Sequence, residues 1–207
     1  MVLSERRSDA LSELINIAFA RTGAALSELT GQRVLLSPPI VSMHRTIDLP
    51  HALQAFVPGD IASIHQVFAG PVAGDALLLL NIDGARQLTN LLVDEKSPAP
   101  YLDESAREVL TEVGNILLNA CLGMFGNLLK VHVSFSVPRL HLESLEELVG
   151  SLVSGSDNLR YALVVSTSFQ VRDSAVSGFL VMALSVASLD RLLNEVDAWE
   201  GRQGEGL

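Results

Sequence analysis

Apolar and small side chains recur at three- and four-residue steps from Ser8 to about Leu29, where Leu11, Leu14, Ile15, Ala18, Thr22, Ala25, Leu26 and Leu29 form one stripe. That spacing predicts an amphipathic helix with a single face turned to a core, and Gly31 is placed to stop it. Val34 to Met43 reads as a strand, which Pro38 and Pro39 confine to an edge, a bulge or a bend. Two further strands are predicted over residues 63–70 and 74–82, joined by a turn at Gly70-Pro71. Asp83 can cap a short helix from Gly84 to about Val93, and the polar, proline-containing stretch 94–100 reads as a linker.

The pattern then starts again. Asp103 is an N-cap for a second long helix with Leu110, Val113, Gly114, Leu117, Cys121, Met124, Phe125 and Leu128 as its stripe. A strand over 130–137, a short helix near 144–153 and strands over 160–171 and 175–185 follow, the last two meeting in a hairpin at 172–174. Residues 189–199 read as a terminal helix and 201–207 as a flexible tail.

Laying residues 9–41 on 108–140, an offset of 99, gives eight identities in 33 positions without a gap: Leu11/Leu110, Glu13/Glu112, Asn16/Asn115, Ile17/Ile116, Leu29/Leu128, Val34/Val133, Ser37/Ser136 and Pro39/Pro138. The chain therefore reads as one domain, 1–207, of two homologous halves, about 1–97 and 98–200, related by a pseudo-twofold.

Packing alone does not demand that polar residues repeat. On a helical projection with Leu11 at zero, Asp9, Glu13 and Asn16 fall at about 160°, 200° and 140°, in the middle of the outward face. Glu108, Glu112 and Asn115 take the same angles on the second helix. A Glu and an Asn three residues on stand side by side, one turn apart. Asn is a mediocre helix former, and Gly114 beside Asn115 costs about 1 kcal/mol relative to alanine. An amide kept twice on a solvent face at that cost points to use.

Composition narrows the chemistry. With 14 Lys and Arg against 24 Asp and Glu the formal charge is −10, which disfavours a nucleic-acid backbone as partner. Hydrophobic residues make up 48% of the 207 positions, so the chain can bury a core and is not a disordered tail. The apolar run 76–80 is far short of the ~20 residues that span a bilayer, and residues 1–7 lack a signal-peptide pattern, so no membrane insertion and a cytoplasmic location are expected. Cys121, the single cysteine, reads as a small core residue. The five histidines (His44, His51, His65, His132 and His141) form no HExxH or Cys/His cluster, so no metal site is expected. Gly123 and Gly126 read as points of close helix packing, and Glu143, Glu146 and Glu147 as a solvated helix face.

The runs Asp9-x3-Glu13-x2-Asn16-x22-Pro39 and Glu108-x3-Glu112-x2-Asn115-x22-Pro138 resemble the signature of the CheC/CheX/FliY proteins of bacterial chemotaxis. The resemblance covers the whole chain, in the CheC-type arrangement with two motif copies. It implies an α+β fold with an antiparallel sheet of about six strands and the two long helices side by side on one face. It also implies an activity, hydrolysis of the aspartyl phosphate of a response regulator such as CheY-P. By motif position Glu13 and Glu112 would grip the regulator's active-site lysine, and Asn16 and Asn115 would orient the attacking water. Asp9, Glu108 and Asn119 would contact the partner, and Pro39 and Pro138 would serve as structural members of the motif. No cofactor of its own is implied, since Mg²⁺ would come with the regulator; a CheD-type deamidase is a further possible partner.

Glu108 stands where the family carries Asp or Ser, Ile15 where a Gly often precedes the Asn, and Ala20 where the second copy has Asn119. These differences leave the two sites unranked. The alternative implied by the same family is a non-catalytic adaptor that binds a regulator or CheD, as in the flagellar switch. A third reading, a small-molecule enzyme with Glu13 or Glu112 as general base, requires a concave pocket around an outward-facing carboxylate.

Overall fold

The computed structural model describes residues 3–31, 33–93, 101–154, 159–171 and 174–204. Its frame is set by two helices of 26 residues each, α1 (Glu5–Thr30) and α4 (Glu104–Leu129), packed against each other. Both have side-chain caps: the Ser4 hydroxyl accepts from Arg7 N, and the Asp103 carboxylate from Ala106 N at 2.9 Å. The Ser4 cap explains why α1 begins earlier than Ser8. Both helices also end in a left-handed residue, Gly31 at φ 64° and Lys130 at φ 59°.

The remaining elements are β1 (Val34–Leu36), β2 (Ile40–Arg45), α2 (Leu49–Leu53), β3 (Ile61–Ala69), β4 (Gly74–Asn81) and α3 (Ile82–Val93), then β5 (Ser134–Phe135), β6 (Arg139–Glu143), α5 (Leu145–Ser154), β7 (Tyr161–Val171), β8 (Ser174–Leu184) and α6 (Val186–Gly204). The strands form one antiparallel sheet in six rows: β1 and β2 together, β7, β8, β4, β3, and β5 and β6 together. The expected α+β class and paired helices are therefore present. The six rows contain eight strands because each edge row is interrupted at its proline, Pro39 or Pro138.

Each edge row pairs with an inner strand from the other half of the chain, and the registers correspond. Leu36↔Phe169 is matched by Phe135↔Phe68, and Ile40↔Ser166 by Arg139↔His65. Thr22 and Cys121, 99 residues apart, meet in the α1–α4 contact, both fully buried. Burial pushes the Cys121 thiol up to about 12, against a smaller opposite pull from Thr22.

Alternation along the strands divides the core in two. On β3, Ala62, Ile64 and Phe68 face α1, α3, α4 and α6, while Ile61 faces the opposite cluster under α2 and α5. Central strand β4 is apolar on both faces, with Ala76, Leu78 and Leu80 toward the long helices and Leu77 and Leu79 away from them.

Several expectations need correction. The second copy's strand is only Ser134–Phe135 rather than 130–137, and β6 follows Pro138, where Arg139, His141 and Glu143 occupy one face. Helix α2 was absent from the expected elements. Asn81 rather than Asp83 caps the start of α3, its side-chain oxygen accepting from Gly84 N at 2.6 Å. Helix α6 runs on to Gly204, through part of the expected tail. The expected linker 94–100, residues 205–207, and Arg172 and Asp173 of the expected hairpin lie outside the described residues, although β7 and β8 pair as far as Val171↔Ser174. So do the side chains of Leu29, Met124, Phe125 and Leu128.

Candidate functional site

Asp9, Glu13 and Asn16 stand exposed on α1, and Glu108 and Glu112 on α4. Among the described residues none of these five has a hydrogen-bond or ion-pair partner within the chain, so all are available to an outside group. Asp9 and Glu13 border a hollow of about 400 Å³ between α1 and α6, together with Glu5, Arg6, Trp199 and Glu200. Asn16 borders another, of about 480 Å³, with Ala20, Arg33 and Leu35.

The second copy is built differently. Asn115 is half-buried, and its Oδ1 accepts from Asn119 Nδ2 at 2.6 Å. Asn119 Oδ1 accepts from Gln66 Nε2 at 3.0 Å, and the same Gln66 nitrogen donates to the backbone carbonyl of Ser136 at 2.8 Å. A carbonyl can only accept, so it fixes the sense of the whole chain: Gln66 presents nitrogen, Asn119 receives through oxygen, and Asn115 is left with its NH2 group outward. Gln66 is 1% exposed and lies on β3 in the row of Ala62, Ile64 and Phe68. Asn119, expected at the partner surface, thus binds the neighbouring amide one turn along the helix.

Glycine 114 makes this approach possible. A Cβ there would lie 2.5 Å from Ile64 Cγ2 on β3, so α4 sits closer to the strand than any larger residue allows. Among the described residues the close packing expected at Gly123 is not found, since a Cβ there meets nothing within 4 Å; at Gly126 it would meet Val131 O at 3.0 Å, in the segment after the helix.

The motif prolines belong to the same construction. Pro138 stands two residues after Ser136, whose N–H donates to Val67 O at 2.9 Å while its hydroxyl accepts from Val67 N at 3.0 Å. Ser37, two before Pro39, does the same with Ser168, at 3.0 and 2.8 Å. A serine hydroxyl thus substitutes for the backbone acceptor where each edge row breaks. Thr167 donates to Ser37 O at 3.2 Å, the place Gln66 takes opposite Ser136.

Sequence reasoning missed Gln66 and, on the opposite sheet face, a hollow of about 750 Å³ lined by His65, Asp75, Arg139, His141, Glu143 and Leu148 among others. There His65 Nε2 is paired with Asp75, and the Ser63 hydroxyl donates to Glu143. Glu143 is therefore half-buried on β6, not part of a solvated helix face, while Glu146 and Glu147 are exposed on α5 as expected. Glu147 also closes a capping box with Ser144, whose backbone and hydroxyl donors hold its carboxyl below the usual range. A lone Gln in an apolar alternating row was the available signal for Gln66; the His65–Asp75 pair had none.

No protein-family model matches the chain. Over 205 residues, 96% of its length, the chain is 24% identical to the flagellar motor switch phosphatase FliY of Bacillus subtilis, and it spans about half, 52%, of that relative's length. Its fold is similar to the crystal structure of Thermotoga maritima FliY, with a TM-score of 0.78 at 16% identity over 96% of this chain and 100% of that one. It is also similar to the FliM middle domain of H. pylori, with a TM-score of 0.65 at 10% identity over 93% and 99%. Among the described residues no helix is long and apolar enough to cross a membrane. The chain thus shares the fold of Thermotoga maritima FliY and carries the acid-and-amide motif twice, on side-by-side helices.

Proposed function

We propose that the chain is a cytoplasmic phosphatase of a phosphorylated response regulator of the CheY type, built as one domain of two homologous halves. The observation that carries this reading is the pair of outward-facing Glu and Asn residues, present twice at one offset on helices packed together. Glu13 or Glu112 engages the regulator's active-site lysine and sets the docking register. Asn16 or Asn115 reaches the phosphoryl group and holds a water in line with the bond to be broken. The water oxygen bonds to phosphorus, the phosphorus–oxygen bond to the aspartate breaks with its electron pair passing to an ionised carboxylate, and the water's protons leave on the phosphate, as dihydrogen phosphate.

An aspartyl phosphate is already activated, so fixing the nucleophile supplies a large part of the acceleration. An amide suits this because it donates and accepts without titrating near neutral pH. Mg²⁺ on the phosphoryl oxygens would come with the regulator.

The test is the decay of a phosphorylated CheY-type regulator with and without the protein. Wild-type chain accelerates it, and Asn16→Ala with Asn115→Ala returns it to the intrinsic rate. Binding without acceleration by the wild type would replace the phosphatase with an adaptor, the reading that the likeness to FliM favours.

A further inference from the structure

We propose that Gln66 and Asn119 are positioning residues that hold Asn115 in its working orientation, which makes the second copy the preorganised site and the first a loosely set one. The inference rests on the phosphatase reading for its kinetic consequence, but its geometry does not.

A terminal amide on an exposed helix face turns through a broad, roughly two-fold torsional well, and each wrong orientation exchanges donor for acceptor. Asn16 has this freedom: its neighbour one turn on is Ala20, and Thr167, opposite Ser37, is too short to span the gap that Gln66 spans. Asn115 does not. Its Oδ1 is tied through Asn119 to a glutamine buried in the sheet, and that glutamine is tied to a backbone carbonyl at the broken edge strand. One lone pair of Oδ1 is engaged by Asn119, leaving the other lone pair and both N–H groups for a water and a phosphoryl oxygen. The chain crosses from β5–β6 to α4 through three side chains, and the Gly114 contact with Ile64 sets the spacing that lets them meet.

Preorganisation lowers the cost of reaching the reactive geometry without adding contact to the regulator, so its loss falls on kcat rather than KM. Gln66→Leu keeps the approximate volume and removes the donors. Placed in an Asn16→Ala chain, where only the second site works, it lowers kcat about tenfold with KM unchanged. Placed in an Asn115→Ala chain, where the relay has nothing to hold, it moves neither constant. Equal losses in both backgrounds, a change in KM alone, or no loss in the first background would overturn the assignment.

Side-chain amide ¹⁵N relaxation gives a readout independent of turnover. In the wild type the Asn115 NH2 group is ordered and that of Asn16 is not, and Gln66→Leu brings Asn115 to the mobility of Asn16. An Asn115 amide as mobile as Asn16 in the wild type would refute the relay even if the chain proved to be a phosphatase. An ordered Asn115 that loosens in Gln66→Leu, in a chain without phosphatase activity, would retain the relay and refute the enzyme.

Discussion

The two long helices carry the same acid and amide but support them differently. On α1, Asn16 projects beside a small hollow and none of the described residues orients it; on α4, Asn115 ends a run of hydrogen bonds that begins at a backbone carbonyl. The difference extends to the residues around each amide. Ile15 fills its place against the sheet, whereas its counterpart Gly114 leaves space that Ile64 occupies. Gly31 ends α1 in the left-handed region at little cost, whereas Lys130 ends α4 in nearly the same conformation with a side chain. Arg7 ties α1 to Asp197 of α6, whereas the counterpart position on α4 is the buried Ala106. One backbone plan therefore supports two local solutions, the second spending helix propensity at Gly114 and a strained C-terminus at Lys130.

The largest effect should come from the amides themselves: removing either one lowers turnover at its own site by about 10²-fold, as expected when a reacting group loses its positioning. Circular dichroism should show both single variants folded. Next is Gly114→Ala. Helix propensity alone favours the change, but the contact with Ile64 makes it destabilising by about 1–3 kcal/mol, measured by urea unfolding. Ile15→Ala, on the other helix, instead opens a cavity and costs about 2–5 kcal/mol without touching the relay. A stabilising Gly114→Ala would mean that α4 does not sit as close to β3 as described.

Lys130→Gly should stabilise the chain by about 1 kcal/mol, because it removes a side chain from a positive φ, whereas Gly31→Lys should cost a similar amount. The smallest effect concerns pH. The Arg7 guanidinium, by hydrogen bonding and charge, holds the Asp197 carboxyl below its ordinary value. The unfolded chain binds that proton more readily, so the contribution is present above about pH 4 and is lost as pH falls through the lower folded value. The pair is partly exposed, so the loss is well under 1 kcal/mol. Hydrogen exchange should show α6 loosening from α1 in acid, and Asp197→Asn should remove that pH dependence.

Much of this was legible in the chain because it is local. The long helices, the cap at Asp103, the stop at Gly31 and the doubled motif depend on spacings within a few turns. Pro38 and Pro39 were legible as an edge, a bulge or a bend, but neither they nor Pro138 as the break that divides each edge row into two strands. Helix α2 is one short turn around Pro50, below the length at which periodicity can be detected. Strand β6 does carry the alternation of a half-exposed strand, Arg139, His141 and Glu143 against Leu140 and Leu142, but over only five residues directly behind Pro138, too short a run to separate it from a loop. Gln66 was missed for a different reason. Its function depends on Asn119, 53 residues away, and on Ser136, 70 residues away, and only sheet pairing brings the three together.

The most direct measurement is the half-life of a phosphorylated CheY-type regulator in the presence of wild-type chain, Asn16→Ala, Asn115→Ala and the double variant. Under the proposed mechanism the wild type accelerates decay, Asn16→Ala loses part of that acceleration, Asn115→Ala loses more, and the double variant leaves the intrinsic half-life. A double variant that accelerates decay as well as the wild type would contradict it.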